Sequence, residues 1–280
     1  FRSYNGPMDK ENFTIECFGN AYIGDDAAVL GKQVFSKDIF AENSHFKHGW
    51  LSLEEIGYKA MIVNFSDTIV MNARPKFALL GLSLPKNFTP QQIKELSGGI
   101  NRACEEFGVK IIGGDTISSK ILNISVSVIG ELNGKAVLRK NAKYGDLVAF
   151  TGELGGSQKG LNSLLRLAKI SKNSRFKNPI LRDKFFYEAA HLINSAMDIS
   201  DGLKTDLGKL LKASKKGAKF TKKLSRSELS SGEEYEVLFT FNPKNLSAIK
   251  RIAAKTRTKI SVFAKISNKR LKQNARNHHF

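Results

Sequence analysis

Residues 52–72, SLEEIGYKAMIVNFSDTIVMN, carry one continuous pattern that predicts a helix. Ser52 and Glu55 have the spacing of a capping box, in which each side chain accepts a hydrogen bond from the other residue's backbone N–H. Leu53, Ile56 and later apolar residues recur at helical spacing. Asp67 lies near the end of this apolar segment. Burying an unpaired carboxylate there would cost several kcal/mol, so a pairing group or a cation is expected beside it.

Helices and strands are predicted to alternate around this segment, which indicates an α/β or α+β class. The strands are expected at 76–85, 109–116 (buried, and ending in a glycine turn), 121–132, 145–152, 234–241 and 259–266. The further helices are expected at 89–108, 160–170, 181–195, 201–214 and 246–255. The polar segment 133–146 is the natural boundary between two units. It predicts an N-terminal domain over 1–137 and a C-terminal domain over 138–280.

The chain is strongly basic, with 45 Lys and Arg against 26 Asp and Glu and a formal net charge of +19. This surplus favours anionic partners such as phosphates, nucleotides or nucleic acid. No nucleic-acid-binding motif accompanies the basic stretches, and lysines spread over solvated faces are the simpler interpretation. No apolar run is long enough for a transmembrane helix. Cys17 and Cys104 form no metal-binding pair, which favours a reducing, cytoplasmic setting.

Five acidic positions share one context, because each ends an apolar segment beside Gly, Ser or Thr. They are Asp25–Asp26, Asp38, Asp67, Asp115, and Asp198 with Asp201. A single such aspartate is more often a turn or cap residue. Together they indicate a set of hard oxygen ligands, which Mg²⁺ prefers and which usually accompany a phosphorylated substrate. Asp206, in contrast, is expected on an exposed helical face.

The sequence contains no ordinary ATP cradle, since neither the P-loop motif nor the protein-kinase motifs are present. The glycine-rich stretch GELGGSQKG, residues 152–160, precedes a predicted helix. Its backbone N–H groups could hold a phosphate, and a surface turn is an equally good interpretation. Any ATP chemistry is therefore expected to depend on metal ions bound by carboxylates.

The acidic positions fall within a series of motifs that occur in a recognisable order. They are GDDAAV (24–29), Asp38 followed by HF (45–46), YKAMIVNFSDTIVMNA (58–73), GGDT (113–116), DISDGL (198–203) and SGEEYEVLFT (231–240). In this order they resemble the thiamine-monophosphate kinase family of the AIR synthetase-like (PurM-like) superfamily. The resemblance implies a two-domain α/β fold with a C-terminal α/β domain and an N-terminal sheet that pairs across a homodimer. It implies transfer of the γ-phosphate of ATP to thiamine monophosphate, giving thiamine diphosphate and ADP, with several Mg²⁺ ions and no protein nucleophile.

The resemblance also implies a role for individual positions. The implied Mg²⁺ ligands are Asp26, Ser36, Lys37, Asp38, Asp67, Asp115, Asp198 and Asp201. The implied ATP contacts are Phe107, Gly114, Asp115, Arg139 and Ser200. The implied contacts to thiamine monophosphate are His45, Glu233 and Phe280. A charged lysine side chain has no lone pair for a metal, so Lys37 would contribute only its backbone carbonyl.

Some positions depart from the family pattern, and other functions stay open at this point. Lys37 replaces a common Thr, Asn72 a Gly and Glu234 an Asp, and the segment before SGEEYE is short for the family. Other enzymes of the superfamily, such as AIR synthetase, selenophosphate synthetase or a hydrogenase-maturation dehydratase, would share the ATP half. A basic nucleic-acid-binding protein is the non-enzymatic alternative.

Overall fold

Two five-stranded sheets form the framework of the computed structural model, which describes residues 10–268. The strands are β1 (Ala28–Leu30), β2 (Gln33–Ala41), β3 (Ala73–Pro85), β4 (Lys110–Ser119), β5 (Asn123–Leu132), β6 (Leu147–Thr151), β7 (Ile193–Asp198), β8 (Gly217–Phe220), β9 (Val237–Phe241) and β10 (Ile260–Ser267). The first sheet has the order β1-β2-β5-β3-β4, and β3 and β4 are its parallel pair. The second has the order β7-β9-β6-β10-β8 and is antiparallel. The expected mixed α/β class is confirmed.

Eight helices accompany the sheets within the described residues. They are α1 (Lys10–Phe18), α2 (Leu53–Val70), α3 (Pro90–Phe107), α4 (Gly156–Leu165), α5 (Asp183–Ala189), α6 (Leu203–Ser214), α7 (Arg226–Ser230) and α8 (Leu246–Lys255). The first sheet ends at Leu132 and the second begins at Leu147. The predicted boundary segment lies between these residues, and the division at residue 137 stays a prediction.

Helix α2 is buried on almost every side. Its N-terminus has the predicted capping box, in which Glu55 N–H donates to Ser52 Oγ at 3.1 Å and Ser52 N–H donates to Glu55 Oε2 at 2.9 Å. The helix packs against α3, against β2, β3 and β5 of the first sheet, and against β7 and α5 of the second unit. A helix surrounded in this way is expected to be apolar all round. It nevertheless buries Lys59 and Asn64 in its interior turns.

Helices α2 and α3 approach each other closely because glycine lies at their contact. A Cβ atom at Gly99 would lie 1.9 Å from the carbonyl oxygen of Glu54, and one at Gly57 would lie 2.2 Å from that of Leu96. No real side chain is accommodated at such distances. The contact therefore fixes the position of α2 relative to the outer helix α3.

The prediction of a buried strand at 109–116 was wrong about burial. Strand β4 runs through both glycines to Ser119, and its residues from Lys110 to Ser118 are exposed. The reason is its place at the edge of the first sheet, where it pairs with β3 alone. The alternation predicted for 121–132 is confirmed, since β5 buries every second residue up to Gly130.

Two predicted helices also differ from the observed ones. The helix expected at 181–195 ends as α5 at Ala189, and the chain then enters strand β7 at Ile193. The helix expected at 160–170 begins earlier, at Gly156, and ends at Leu165. Between residues 10 and 268, no helix combines the length and the apolar character needed to cross a membrane.

Two neighbouring glycines of α3 provide a matched test of the helix contact. Gly98 is exposed, and a Cβ atom there would have no neighbouring atom within 4 Å, whereas Gly99 meets the backbone of α2. We expect Gly98→Ala to raise stability by about 1 kcal/mol through helix propensity. We expect Gly99→Ala to lower it by about 1–3 kcal/mol through overpacking. Thermal unfolding of both variants measures the difference, and equal effects would contradict the proposed contact.

Candidate active site

Three aspartates from distant parts of the chain converge at one point. Asp26 precedes β1, Asp67 lies on α2 and Asp198 ends β7. One carboxylate oxygen from each lies within 4.8 Å of the others. All donors are hard oxygens, which are the ligands of Mg²⁺ and Ca²⁺ in proteins. The structure thus brings together three of the eight residues predicted as Mg²⁺ ligands.

Burial and repulsion raise the pKa of two of the clustered carboxylates, those of Asp67 and Asp198. Burial, followed by repulsion from Asp38, Asp198 and Asp26, holds the pKa of Asp67 well above its usual range. Burial, followed by repulsion from Asp26, raises the pKa of Asp198 to about 7, although a hydrogen bond from Ser66 Oγ at 2.8 Å opposes the shift. Asp38 thus lies near enough to act on the same cluster. A group of this kind binds protons tightly, and for the same reason it favours a cation.

Arg139 is the cation that the chain itself brings to the cluster. Its Nη2 donates to Asp26 Oδ1 at 2.6 Å and its Nε to Asp26 Oδ2 at 3.2 Å. Its backbone N–H donates to Asp25 Oδ1 at 2.6 Å, and its carbonyl accepts from Ser214 Oγ at 2.7 Å. Burial lowers the pKa of Arg139, and Asp26, Asp198 and Asp67 more than reverse this. The two-point pairing orients Asp26 and leaves Asp67 and Asp198 only partly neutralised.

Asp201 lies three residues after Asp198 and outside the group of three aspartates, and the expectation for Asp206 was wrong. Asp201 is buried, pairs with Lys209 Nζ and donates its backbone N–H to Asp206 Oδ2 at 3.1 Å. Asp206 is fully buried rather than exposed. Burial, followed by repulsion from Asp201, raises the pKa of Asp206 well above the ordinary value. Helical spacing places Asp206 on the face of Leu203 and Leu210, a signal that the sequence analysis overlooked.

Other predicted residues lie on β2 and β4, and two of them, Ser36 and Lys37, point to opposite faces of the first sheet. Ser36 is buried, and its hydroxyl donates to Asn64 of α2. Lys37 points to the opposite face, where Nζ donates to Ser125 Oγ. Asp115 is exposed on β4, and its Oδ1 accepts from the N–H of Thr116 at 2.8 Å.

Gly114 has a backbone that only glycine tolerates. Its φ is +154°, and a Cβ there would lie 1.9 Å from the carbonyl oxygen of Leu80 on β3. Gly114 and Asp115 are not part of the group formed by the three clustered aspartates.

A cavity of about 250 Å³ brings together His45, Ser200 and Glu233. Trp50 and Phe176 provide aromatic walls, with ring centroids 6.1 Å apart. His45 packs on Phe40 and accepts the backbone N–H of Ala41 at its Nδ1, at 3.1 Å. The two predicted substrate contacts within the described residues therefore share one cavity. Ser200, predicted as an ATP contact, lines it as well.

Phe107 lies elsewhere, and Phe280 lies outside the described residues. Phe107 packs on Phe65 of α2 with ring centroids 5.4 Å apart. It lines a second cavity of about 640 Å³, together with Arg102 and Arg182, to which none of the three clustered aspartates contributes.

The glycine-rich stretch 152–160 already has an internal carboxylate at its backbone N–H groups. Glu234 Oε1 accepts from Gly155 N at 2.8 Å and from Ser157 N at 3.0 Å, at the start of α4. The interpretation of this stretch as a phosphate cradle is therefore wrong for these donors. Burial raises the pKa of Glu234, and these hydrogen bonds oppose the shift.

Two polar residues of α2 were missed at the sequence level. Ser66 donates to Asp198, and Lys59 pairs with Glu233. A lysine within the apolar stretch from Ile56 to Val63 was the available signal for Lys59.

The fold and the carboxylate cluster define the class of protein, which is that of the AIR synthase related proteins. The model of that family's N-terminal domain ("AIR synthase related protein, N-terminal domain") matches residues 24–132. A thiamine-monophosphate kinase of Buchnera aphidicola subsp. Schizaphis graminum is 35% identical, over 81% of this chain and 78% of the relative. The chain therefore belongs to the thiamine-monophosphate kinase family, and the resemblance found in the motifs is confirmed.

Solved structures agree with this assignment. The crystal structure of thiamine monophosphate kinase from Aquifex aeolicus has a TM-score of 0.81 and 26% identity, and the match covers 93% of this chain and 94% of that chain. A structure described as AaThiL complexed with AMPPCP and TMP has a TM-score of 0.83 and 25% identity, covering 97% and 98%. The match thus extends through both sheets.

The raised pKa of Asp198 predicts how stability depends on pH. Below about pH 4 the residue is protonated in both the folded and the unfolded chain. Between pH 4 and 7 the folded state retains a proton that the unfolded chain has lost, so the folded state loses stability as pH rises towards 7. We compare the melting temperature of Asp198→Asn with that of wild type, both in EDTA. We expect the difference to increase in favour of the variant by about 5 °C from pH 5 to pH 8. A difference in melting temperature that stays constant from pH 5 to pH 8 would contradict the raised pKa of Asp198.

Proposed function

We propose that this protein transfers the γ-phosphate of ATP to thiamine monophosphate, giving thiamine diphosphate and ADP. The main support is that one short segment links the two parts of the site. Asp198 joins the carboxylate cluster, and Ser200, two residues later, lines the cavity of His45 and Glu233. A relative with the same fold was solved with AMPPCP and TMP together. Donor and acceptor sites are thus expected side by side.

The donor set fits Mg²⁺, and Asp26, Asp67 and Asp198 would hold it. Mg²⁺ bound there would neutralise phosphate oxygens as charge moves between donor and acceptor. Asp38 adds charge to the cluster and is a further proposed ligand. Asp201, Asp115, and Ser36 with the Lys37 carbonyl are proposed for additional ions on the basis of the family motifs alone.

The chain's own residues contribute orientation and charge. Arg139 fixes Asp26 by two hydrogen bonds and carries the positive charge that the cluster can share with a phosphate. Ser66 holds Asp198 through its hydroxyl. Transfer between two phosphates depends on positioning and charge neutralisation, so no side chain needs to act as a nucleophile. Gly114, Asp115, Arg139, Ser200 and Phe107 are the proposed ATP contacts.

The acceptor is proposed to bind in the cavity of about 250 Å³. Trp50 and Phe176 offer flat apolar walls for a heteroaromatic ring, and His45 and Glu233 offer polar contacts. Phe280 is a further proposed contact. Other enzymes of the superfamily and a nucleic-acid-binding protein are not favoured, because neither accounts for the identity to thiamine-monophosphate kinases over most of the chain. Cytoplasmic location is part of the proposal, and the two free cysteines agree with it.

An assay with ATP, Mg²⁺ and thiamine monophosphate tests the proposal directly. We expect the wild-type protein to form thiamine diphosphate and ADP in equal amounts, and Asp67→Asn to lower kcat by about 100-fold or more. Glu188→Gln removes an exposed carboxylate on α5 and is the control for loss of charge alone. Aminoimidazole ribonucleotide precursor and selenide mixtures serve as competing substrates. Turnover of one of them without formation of thiamine diphosphate would overturn the proposal.

A homodimer formed through the first sheet is also proposed. Ile39, Leu79, Ile112 and Ile117 leave large apolar side chains exposed on this sheet. Strand β4 is an open edge, and such edges are usually covered. A second copy of the chain would bury both features.

Analytical ultracentrifugation checks the oligomeric state. We expect wild-type protein to sediment as a dimer and Ile117→Lys to shift it towards the monomer, because a charge at an apolar interface must be desolvated. Leu167→Lys changes an exposed leucine outside the first sheet and should leave the dimer intact. A monomeric wild-type protein would contradict the proposal.

A further inference from the structure

Lys59 is a fully buried lysine whose charged end meets a single carboxylate. It lies on α2, and its Nζ donates to Glu233 Oε2 at 2.7 Å. The same Nζ lies 4.1 Å from the ring centroid of Phe176 and 5.6 Å from that of Phe40. Phe176 and Glu233 both line the cavity proposed for the acceptor. Lys59 therefore contacts two residues of the cavity wall without lining the cavity itself.

Stability alone does not explain a lysine at this position. Burying an ammonium group costs solvation free energy, and replacing a buried ion pair by apolar side chains of similar shape is often neutral or stabilising. The surroundings of Nζ are two aromatic rings, against which a methionine would pack well. The feature that a methionine could not reproduce is the bond to Glu233.

Glu233 has one carboxylate oxygen bound and one left for a ligand. Oε2 accepts from Lys59, whereas Oε1 has no hydrogen-bond partner within residues 10–268. The backbone of Glu233 is held at a φ of +54°, and its N–H donates to the carbonyl of Ser200 at 2.7 Å. Glu233 is thus anchored both at its main chain and at one oxygen. The other oxygen has a defined direction relative to the segment that carries Ser200.

The pairing also cancels the charge of Glu233. An ammonium at 2.7 Å leaves the pair neutral as seen from the cavity. A carboxylate in this state acts mainly as a directional hydrogen-bond acceptor, and it contributes little net attraction for a cation. A Glu233 without this pairing would instead meet a cationic ligand as a counter-charge.

We propose that Lys59 is a positioning residue for the acceptor substrate, which acts by holding and neutralising Glu233 so that Oε1 accepts a hydrogen bond from a nitrogen-bearing heteroaromatic ligand. This inference rests on the proposed function, because the ligand is thiamine monophosphate. Lys59 comes from the helix that carries Asp67, and Glu233 comes from the second unit. This ion pair therefore fixes the position of the acceptor cavity relative to the carboxylate cluster.

Trp50 provides a direct readout, because it is the one tryptophan of the chain and lines the cavity. Quenching of its fluorescence by thiamine monophosphate is titrated for wild type, Lys59→Met, Glu233→Gln and the double variant. We expect Lys59→Met to raise the Kd for thiamine monophosphate about 10-fold, with the KM for ATP close to wild type. We expect the double variant to be no weaker than the weaker single variant, because Lys59 acts only through Glu233.

The direction of the change in Kd distinguishes this proposal from the hypothesis that Glu233 attracts a cationic ligand by its net charge. If Glu233 attracted a cation by its net charge, removal of Lys59 would expose that charge and tighten binding. Tighter or unchanged binding by Lys59→Met would overturn the proposal, and so would additive losses in the double variant. If Lys59→Met fails to fold, Lys59→Gln is carried through the same titrations with the same criteria.

Lys177→Met is the matched control, because Lys177 forms a comparable half-buried ion pair with Glu55 on α2 at 2.9 Å and does not line the cavity. We expect it to bind thiamine monophosphate as the wild type does, and an equal loss in this variant would overturn a specific role for Lys59. A wild-type protein that does not bind thiamine monophosphate would overturn the proposed function together with this inference. If the wild type binds thiamine monophosphate but the losses of Lys59→Met and Glu233→Gln add up in the double variant, the inference alone would be overturned.

Discussion

Repulsion among buried carboxylates is the constraint on which the site depends. Asp26, Asp67 and Asp198 lie within 4.8 Å of one another, and the chain supplies Arg139 as a direct partner for Asp26 only. The remaining charge is expressed as raised pKa values of Asp67 and Asp198. Such a centre is stable only while protons or cations balance it. The affinity for a divalent ion is therefore a consequence of how the fold concentrates negative charge.

Helix α2 is the element that makes this concentration possible. It is packed between the first sheet, α3 and the second unit, so its side chains reach all three. Asp67 and Ser66 extend to the carboxylate cluster, whereas Lys59, about two turns earlier, reaches Glu233 in the acceptor cavity. A rigid helix holds these positions at a constant separation. The glycine contacts with α3 then fix the helix itself.

Local signals predicted most elements well. The capping box at Ser52 marked the start of α2, because a cap satisfies backbone groups within one turn of the chain. The helix expected at 89–108 matches α3, which Thr89 and Gly108 cap. Helix α8 was predicted with its observed bounds. Apart from the bounds of α4 and α5, the errors concerned burial: β4 is exposed and Asp206 is buried. Burial depends on what packs against an element, and the neighbours of β4 and α6 come from distant segments.

The sequence by itself determined most of the helices and strands of both units, the family, and the set of acidic residues from which a site could be drawn. The tertiary structure decided which of those residues meet. It joined Asp26 and Asp198 to Asp67, left Asp115 exposed on an edge strand, and paired Lys59 with a carboxylate 174 residues away. The physical reason is the distance along the chain over which each interaction acts. Backbone caps and side-chain periodicity act over a few residues, whereas the distance between charges follows from the packing of two sheets around one helix.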